Sequence, residues 1–412
     1  MEVTKVIRGV TAITMTDQGV VDRATVVLRG NRLGGVHPDG QLPAELTSWA
    51  DAHPEQVLDL PGRYVIPGLI NLHEHLDMHN VRGSMHDRVS GPTVTLVPRA
   101  IRNALLALAS GVTTLRDLGS KDATNIVIRD IIDMGQFIGP RVVACGQMIS
   151  ATGGHGQPLC AEGDGADAMR HLARLQHKRG ADVIKVCASG GVVAMRRENP
   201  WAQQLSDEEL RAVVEEAHRF GLRVASHAQP PAAIKASVLA GVDTIEHAAF
   251  LDDECADLLA ERDVALVPTI DDSYSVAYEG ERHGRPQWMQ DNAKKSIELR
   301  MASLVRAVKA GVRLGVGTDV VGKMGREMVH MVEAGRTPEQ ALAAATRDAA
   351  QIIDVPDIGI LADGMLADLV VLGRDPLADL SACDDSIELV VRDGVTIRPS
   401  ALIATCAGGD IV

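Results

Sequence analysis

The sequence predicts an α/β protein: a (β/α)8 TIM barrel with a small β-sandwich domain formed by both termini. Three observations carry this. Between about residues 65 and 320, eight short β-branched apolar runs alternate with longer helical patterns, the signature of βα units. The two ends instead hold short strands broken by Gly and Asp turns, as in VIRGVTAITM and IELVVRDGVTI. The chain has 412 residues, 46% hydrophobic and 23% charged, enough for a large core and more than one usual compact unit. The boundaries that follow are 1–60 plus 358–412 for the small β domain and 61–357 for the barrel.

The strand candidates, in order, are Val65–Leu72, Val112–Asp117, Arg141–Met148, Asp182–Cys187, Arg223–His227, Thr244–His247, Ala265–Thr269 and Arg313–Thr318. Helical patterns lie between them. One is Asp207–Phe220, where Ser206 and Glu209 fit a capping box and Gly221 follows as a terminating glycine. A doubly wound open sheet is the competing architecture. It calls for a glycine-rich phosphate turn after its first strand, and NLHEHLD is not one.

Composition narrows the function. A formal charge of -14 opposes a nucleic-acid footprint, and 2% aromatic residues leave little for base stacking. The N-terminus MEVTKVIRGVTAITM has no apolar signal core, and no run of about 18 apolar residues occurs. The expectation is a cytoplasmic protein with a small-molecule substrate, no membrane partner, and assembly as a homo-oligomer. Six scattered cysteines without a CxxC pair read as reduced thiols.

Chemistry concentrates at the predicted C-terminal strand ends, where barrel active sites lie. In IPGLINLHEHLD, strand alternation points His73 and His75 the same way, one pleat apart, a spacing that suits two ligands on one metal ion. Such a pair alone is also what two satisfied surface histidines look like. Lys185 in DVIKVCASGG, His227 in RVASHAQ, His247 in DTIEHAA and Asp319 in LGVGTDVVG add ligand types on later strands, and together they make metal binding the better reading. Glu74 and Glu246, one residue from ligands, are expected to face the opposite side of their strands. Arg116 and Asp117 read as a structural ion pair. His171, His177 and His218 fall in helical patterns and read as solvated, while His79 and His86 follow the metal strand and are candidates to line the pocket.

These motifs, together with LADGMLADLVVLGRDPL, resemble the amidohydrolase superfamily over nearly the whole chain. The segments GGHG at 153–156, AIKASVLAGVDTIEHAAFLDDE and GREMVHMVEAGRTPEQALAAATRDAAQII are most similar to its branch of imidazolonepropionase-related hydrolases and Xaa-Pro dipeptidases, which includes N-acyl amino acid and ochratoxin hydrolases. The resemblance implies that His73, His75 and Asp319 hold one divalent metal, with zinc expected, and that His227 and His247 hold a second. It also implies that Lys185 is carboxylated and bridges the two.

The activity implied is a metal-dependent hydrolase cleaving an amide bond with a metal-bound hydroxide, on an N-acyl amino acid, dipeptide or related carboxamide. Asp319 would move the proton. His155, in the loop TGGHGQP, would reach substrate or a developing oxyanion, and Arg326 would bind a carboxylate. Gln229 stands where many relatives of the dipeptidase branch carry an aromatic residue or a histidine, a departure that weakens a prolyl-dipeptide assignment while keeping the position next to substrate. The alternatives are hydrolysis of a cyclic amide, carbamate, urea or lactone at the same centre, and a non-catalytic barrel scaffold.

Overall fold

The computed structural model describes residues 2–78, 89, 91–192, 198–282 and 284–406; His79 and His86 lie outside them. Both termini weave one eight-stranded sheet. Its order runs Val395–Ile397, Ile387–Arg392, Leu369–Leu372, Tyr64–Pro67, Lys5–Ile13, Val20–Arg29, Arg32–His37, with Val57–Asp59 also paired to Lys5–Ile13. Ile7, Val10, Val26 and Leu28 from the N-terminal part pack with Leu369, Val371 and Val391 from the C-terminal part. Neither end can bury its apolar face alone, so the sheet forms only when both meet.

The predicted first barrel strand Val65–Leu72 divides at Gly68. Tyr64–Pro67 pairs antiparallel with Leu369–Leu372 in the terminal sheet, and Leu69–Glu74 pairs parallel with Val112–Asp117 in the barrel. The terminal sheet therefore runs on to Pro67, past the boundary expected at residue 61. A Cβ at residue 68 would lie 2.1 Å from Thr113 Oγ1, so only glycine lets the chain cross so close to the second strand. Hydropathy cannot mark this change of sheet, because the run is buried on both sides of it.

The barrel is the expected ring of parallel strands with helices outside. Arg141–Met148 is interrupted by Gly146 at φ +75° into Arg141–Ala144 and Met148–Ser150. The third strand is tied to the fourth by the Asp182 amide donating to the Ala144 carbonyl at 2.8 Å. Val183–Cys187, Arg223–Ala228, Thr244–His247 and Ala265–Val267 follow in parallel. The eighth segment, 313–318, is not a regular strand. It closes the ring by irregular bonds, from Leu266 N to Arg313 O at 2.9 Å and from Leu72 N to Val316 O at 2.8 Å. Its glycines explain the irregularity: a Cβ on Gly315 would lie 2.2 Å from Leu72 Cδ1, and one on Gly317 2.7 Å from His73 Cβ.

Helix Asp207–Arg219 begins with the expected reciprocal capping box of Ser206 and Glu209. The C-terminal helix Pro399–Cys406 lies against barrel helix Thr93–Ala109, where Leu402 packs with Leu105 and Leu108. Among the described residues no helix is long and apolar enough to cross a membrane.

Candidate metal centre

Leu69–Glu74 ends in the barrel mouth, and alternation turns the buried side chains of His73 and His75 the same way. Each imidazole is held by its Nδ1. That of His73 bonds Glu246 Oε2 and that of His75 bonds the Gly119 carbonyl, both at 2.7 Å. This is how a protein fixes the tautomer of a ligating histidine and leaves Nε2 free to bind. Asp319 Oδ1 lies 3.2 Å from His73 Nε2 and 3.5 Å from His75 Nε2. The three residues offer ligand atoms that all lie within 4.8 Å of one another.

Asp319 reaches this place through a left-handed backbone at φ +66°, anchored by its amide to the His73 carbonyl at 2.8 Å. His247 at φ +72° and Thr269 at φ +53° share that conformation, and His247 Nδ1 bonds Thr269 Oγ1 at 2.6 Å. Non-glycine residues seldom adopt it, and it gathers at functional sites where the surroundings enforce it.

The rings form a continuous arc. His73 lies 4.8 Å from His247 between centroids, His247 4.6 Å from His227, and His227 stacks on His155 at 4.0 Å. Burial pushes His75 down to about 3 and holds His227 and His247 well below the usual imidazole range, so these rings are neutral with lone pairs to give. Burial pushes the Asp319 carboxyl up, but the approach of His73, with His75 and Arg300, outweighs it and keeps the group ionised.

Two atoms test the fit to a metal. His73 Nε2 and Lys185 Nζ are buried with no hydrogen-bond partner among the described residues. Burial also lowers the Lys185 amine below its usual value. Imidazole nitrogens facing a carboxylate, with buried nitrogens left unpaired among the described residues, suit a divalent cation. The match to known proteins agrees: residues 64–397 match the amidohydrolase family. The chain belongs to the amidohydrolase family.

Relatives place it further. The chain is 32% identical over 397 residues to ochratoxinase from Aspergillus niger, covering 87% of this chain and 78% of that one. Among solved structures it is similar to a Xaa-Pro dipeptidase with methionine bound in the active site, at 28% identity and TM-score 0.86, covering 96% and 99% of the two chains. It is also similar to a prolidase complexed with N-methylphosphonate-L-proline, at 28% identity and TM-score 0.84, covering 96% and 99%. The protein is a metal-dependent amidohydrolase, and His73, His75 and Asp319 form a group able to hold a metal ion.

Several neighbours of this amidohydrolase centre differ from the sequence reading. Glu246 does not face away from the ligands. It lies in the interior, joining His73 to Arg116 Nη2 at 2.9 Å, because the left-handed turn at His247 brings consecutive side chains into the same space. Burial pushes Glu246 up, and Arg116 with the His73 bond overrides it and holds it at about 2. Arg116 therefore does not pair with Asp117. It reaches Glu246 and the Leu72 carbonyl, while Asp117 accepts from Asn125 and the amides of Leu76 and Gly119. Glu74 is buried and bonds Asn71 and the His75 amide.

The three residues expected at the substrate are placed as follows. His155 Nδ1 bonds Glu198 Oε2 at 2.5 Å, and Gly191 makes room for it, since a Cβ there would lie 2.6 Å from the His155 ring. Gln229 is buried, and its side-chain oxygen accepts from the Ala249 amide at 3.1 Å, which makes it a tie between the loops after strands five and six. Arg326 is engaged by the buried Asp271 and by Glu279 at 3.2 Å, and covers the Tyr274 ring at 4.4 Å.

Arg300, unmarked by any motif, reaches from helix Gln287–Ala310 to Thr269 Oγ1 at 2.8 Å and so supports the hydroxyl that holds His247. Nothing in its sequence context signals this. Glu198, which holds His155, likewise lies in no motif.

Proposed function

We propose that this amidohydrolase cleaves an amide bond in a small molecule: an N-acyl amino acid, a dipeptide or a related carboxamide. The observation that carries it is the gathering of four imidazoles, of which burial holds His75, His227 and His247 neutral, with an ionised Asp319 and a buried Lys185 amine that has no hydrogen-bond partner among the described residues. The likeness to a prolidase and a Xaa-Pro dipeptidase supports a peptide-type bond.

His73, His75 and Asp319 would hold one divalent ion, zinc in this reading, and His227 with His247 a second. Lys185, with an amine favoured in its neutral form, would add to carbon dioxide, forming an N–C bond and releasing a proton. The resulting carbamate would put oxygen donors where the free amine stood. A bound divalent cation supplies Lewis acidity, able to lower the pKa of water to about 7 and to polarise a carbonyl.

The chain's own groups do the rest. Asp319 accepts the proton of the attacking water and passes it to the leaving nitrogen. His155, held at Nδ1 by Glu198, keeps Nε2 for the oxygen of the scissile carbonyl. The test is a panel of amides, lactones, carbamates and ureas given to zinc-loaded protein, scored for released amino acid against released alcohol or amine. Turnover led by amides that release an amino acid is expected. Turnover confined to lactones, carbamates or ureas overturns the reading.

A further inference from the structure

We propose that Trp201 and Phe250 form a stacking platform at the barrel mouth that receives an aromatic ring of the substrate; this rests on the amide reading above. The chain holds only three Trp, three Tyr and three Phe, so their placement is informative. Trp201 follows the fourth strand, Phe250 the sixth, and Tyr274 and Tyr278 the seventh, all in segments that leave the C-terminal ends of the strands, the catalytic face of a barrel. The rings of Trp201 and Phe250 lie 3.6 Å apart between centroids and 24° from parallel, with Trp201 59% exposed. A large aromatic left in water yet fixed by a second ring offers apolar area at little cost in lost freedom.

The platform is built into the same loops as the metal centre. The Phe250 and Ala249 amides both donate to Gln229, to its carbonyl and side-chain oxygens at 3.1 Å. The Gln229 amide donates to Ser189 Oγ at 2.9 Å. Ser189 pairs with Gln203, two residues from Trp201, and the Trp201 amide donates to Asn199 Oδ1 at 3.0 Å. The next residue, Gly190, packs against the Asn199 backbone and accepts from His227 Nε2 at 3.3 Å. His247 thus stands at the root of the loop that carries Phe250, and His227 bonds the loop that carries Trp201. Gln229 holds the backbone of Phe250 and ties it to Ser189, which pairs with the segment that carries Trp201.

The chemistry selected is a flat aromatic group on one side of the scissile bond. Hydrolysis products separate the two sides without turnover. Calorimetric titration of the purified, metal-loaded protein would compare L-phenylalanine with L-alanine for the amine side, and benzoate with acetate for the acyl side. The aromatic member of at least one pair should bind about tenfold more tightly. Trp201→Ala should remove that preference, and Trp201→Phe should keep it within about threefold.

Loss of the preference in either pair supports the platform and names the side it serves. No aromatic preference in the parent overturns it, and so does a preference that survives Trp201→Ala. A changed oligomeric mass of Trp201→Ala with the preference intact also overturns it, and assigns the rings to a contact between copies. Aromatic preference in binding without turnover of any amide would instead sink the amide reading and leave the platform standing.

Discussion

Asp319 is the residue on which geometry and electrostatics meet. A left-handed backbone places it, two Nε2 atoms face it, and its surroundings keep it ionised despite burial. Asp319→Asn preserves the shape and one ligand oxygen but cannot take a proton. Steady-state kinetics should show kcat reduced by at least about 10²-fold, while elemental analysis finds much of the metal retained. A kcat within about tenfold of the parent would mean that Asp319 does not move the proton.

One bond further out, Glu246 fixes His73 and neutralises Arg116. Glu246→Gln should weaken metal binding by about 10–100-fold in competition with a chelator, since partners of ligating histidines carry much of the affinity. Unchanged affinity would reduce Glu246 to packing. The ligand types at strand ends were legible because histidine, lysine and aspartate are out of place on buried strands. Glu246 was not, because its partner His73 is 173 residues away and its orientation depends on the φ of His247.

At the scale of elements, the mouth is tied together where the loops after the seventh and eighth strands meet. Glu327, buried on helix Met324–Glu333, accepts the amides of Ile270 and Asp271 at 3.0 and 2.8 Å. Burial, opposed by His330 and helped by Asp271, raises its carboxyl from 4.5 to about 7. Between these values the folded chain holds a proton that the unfolded chain has lost, so this group makes stability fall as pH rises from about 4.5 to 7. Glu327→Gln should flatten that fall by up to about 1.4 kcal/mol per pH unit, the slope of one proton. Urea melts at pH 5, 6 and 7 at fixed free metal measure it; parallel pH profiles for parent and variant would contradict it.

The ring of strands was readable from alternating runs. Two departures were not: the change of sheet at Gly68 and the irregular eighth segment. Both are set by close approach of backbone to Thr113, Leu72 and His73, contacts that periodicity does not encode.

Over the whole molecule, a sheet from both termini packs beside a barrel whose mouth gathers His73, His75 and Asp319. The expected pairing of the two ends held because each carried half of one apolar face. The roles of Arg300 and Glu198 stayed hidden because they arise only once helices and loops are folded against the mouth.

The central claim is that this mouth holds a divalent metal on which hydrolysis depends. Elemental analysis of the purified protein, paired with amide hydrolysis before and after chelation, tests it most directly. The account predicts one to two equivalents per chain, loss of the tighter equivalent in the His73→Ala, His75→Ala double variant, and no hydrolysis after chelation until metal is restored. Full hydrolysis by metal-free protein would contradict it.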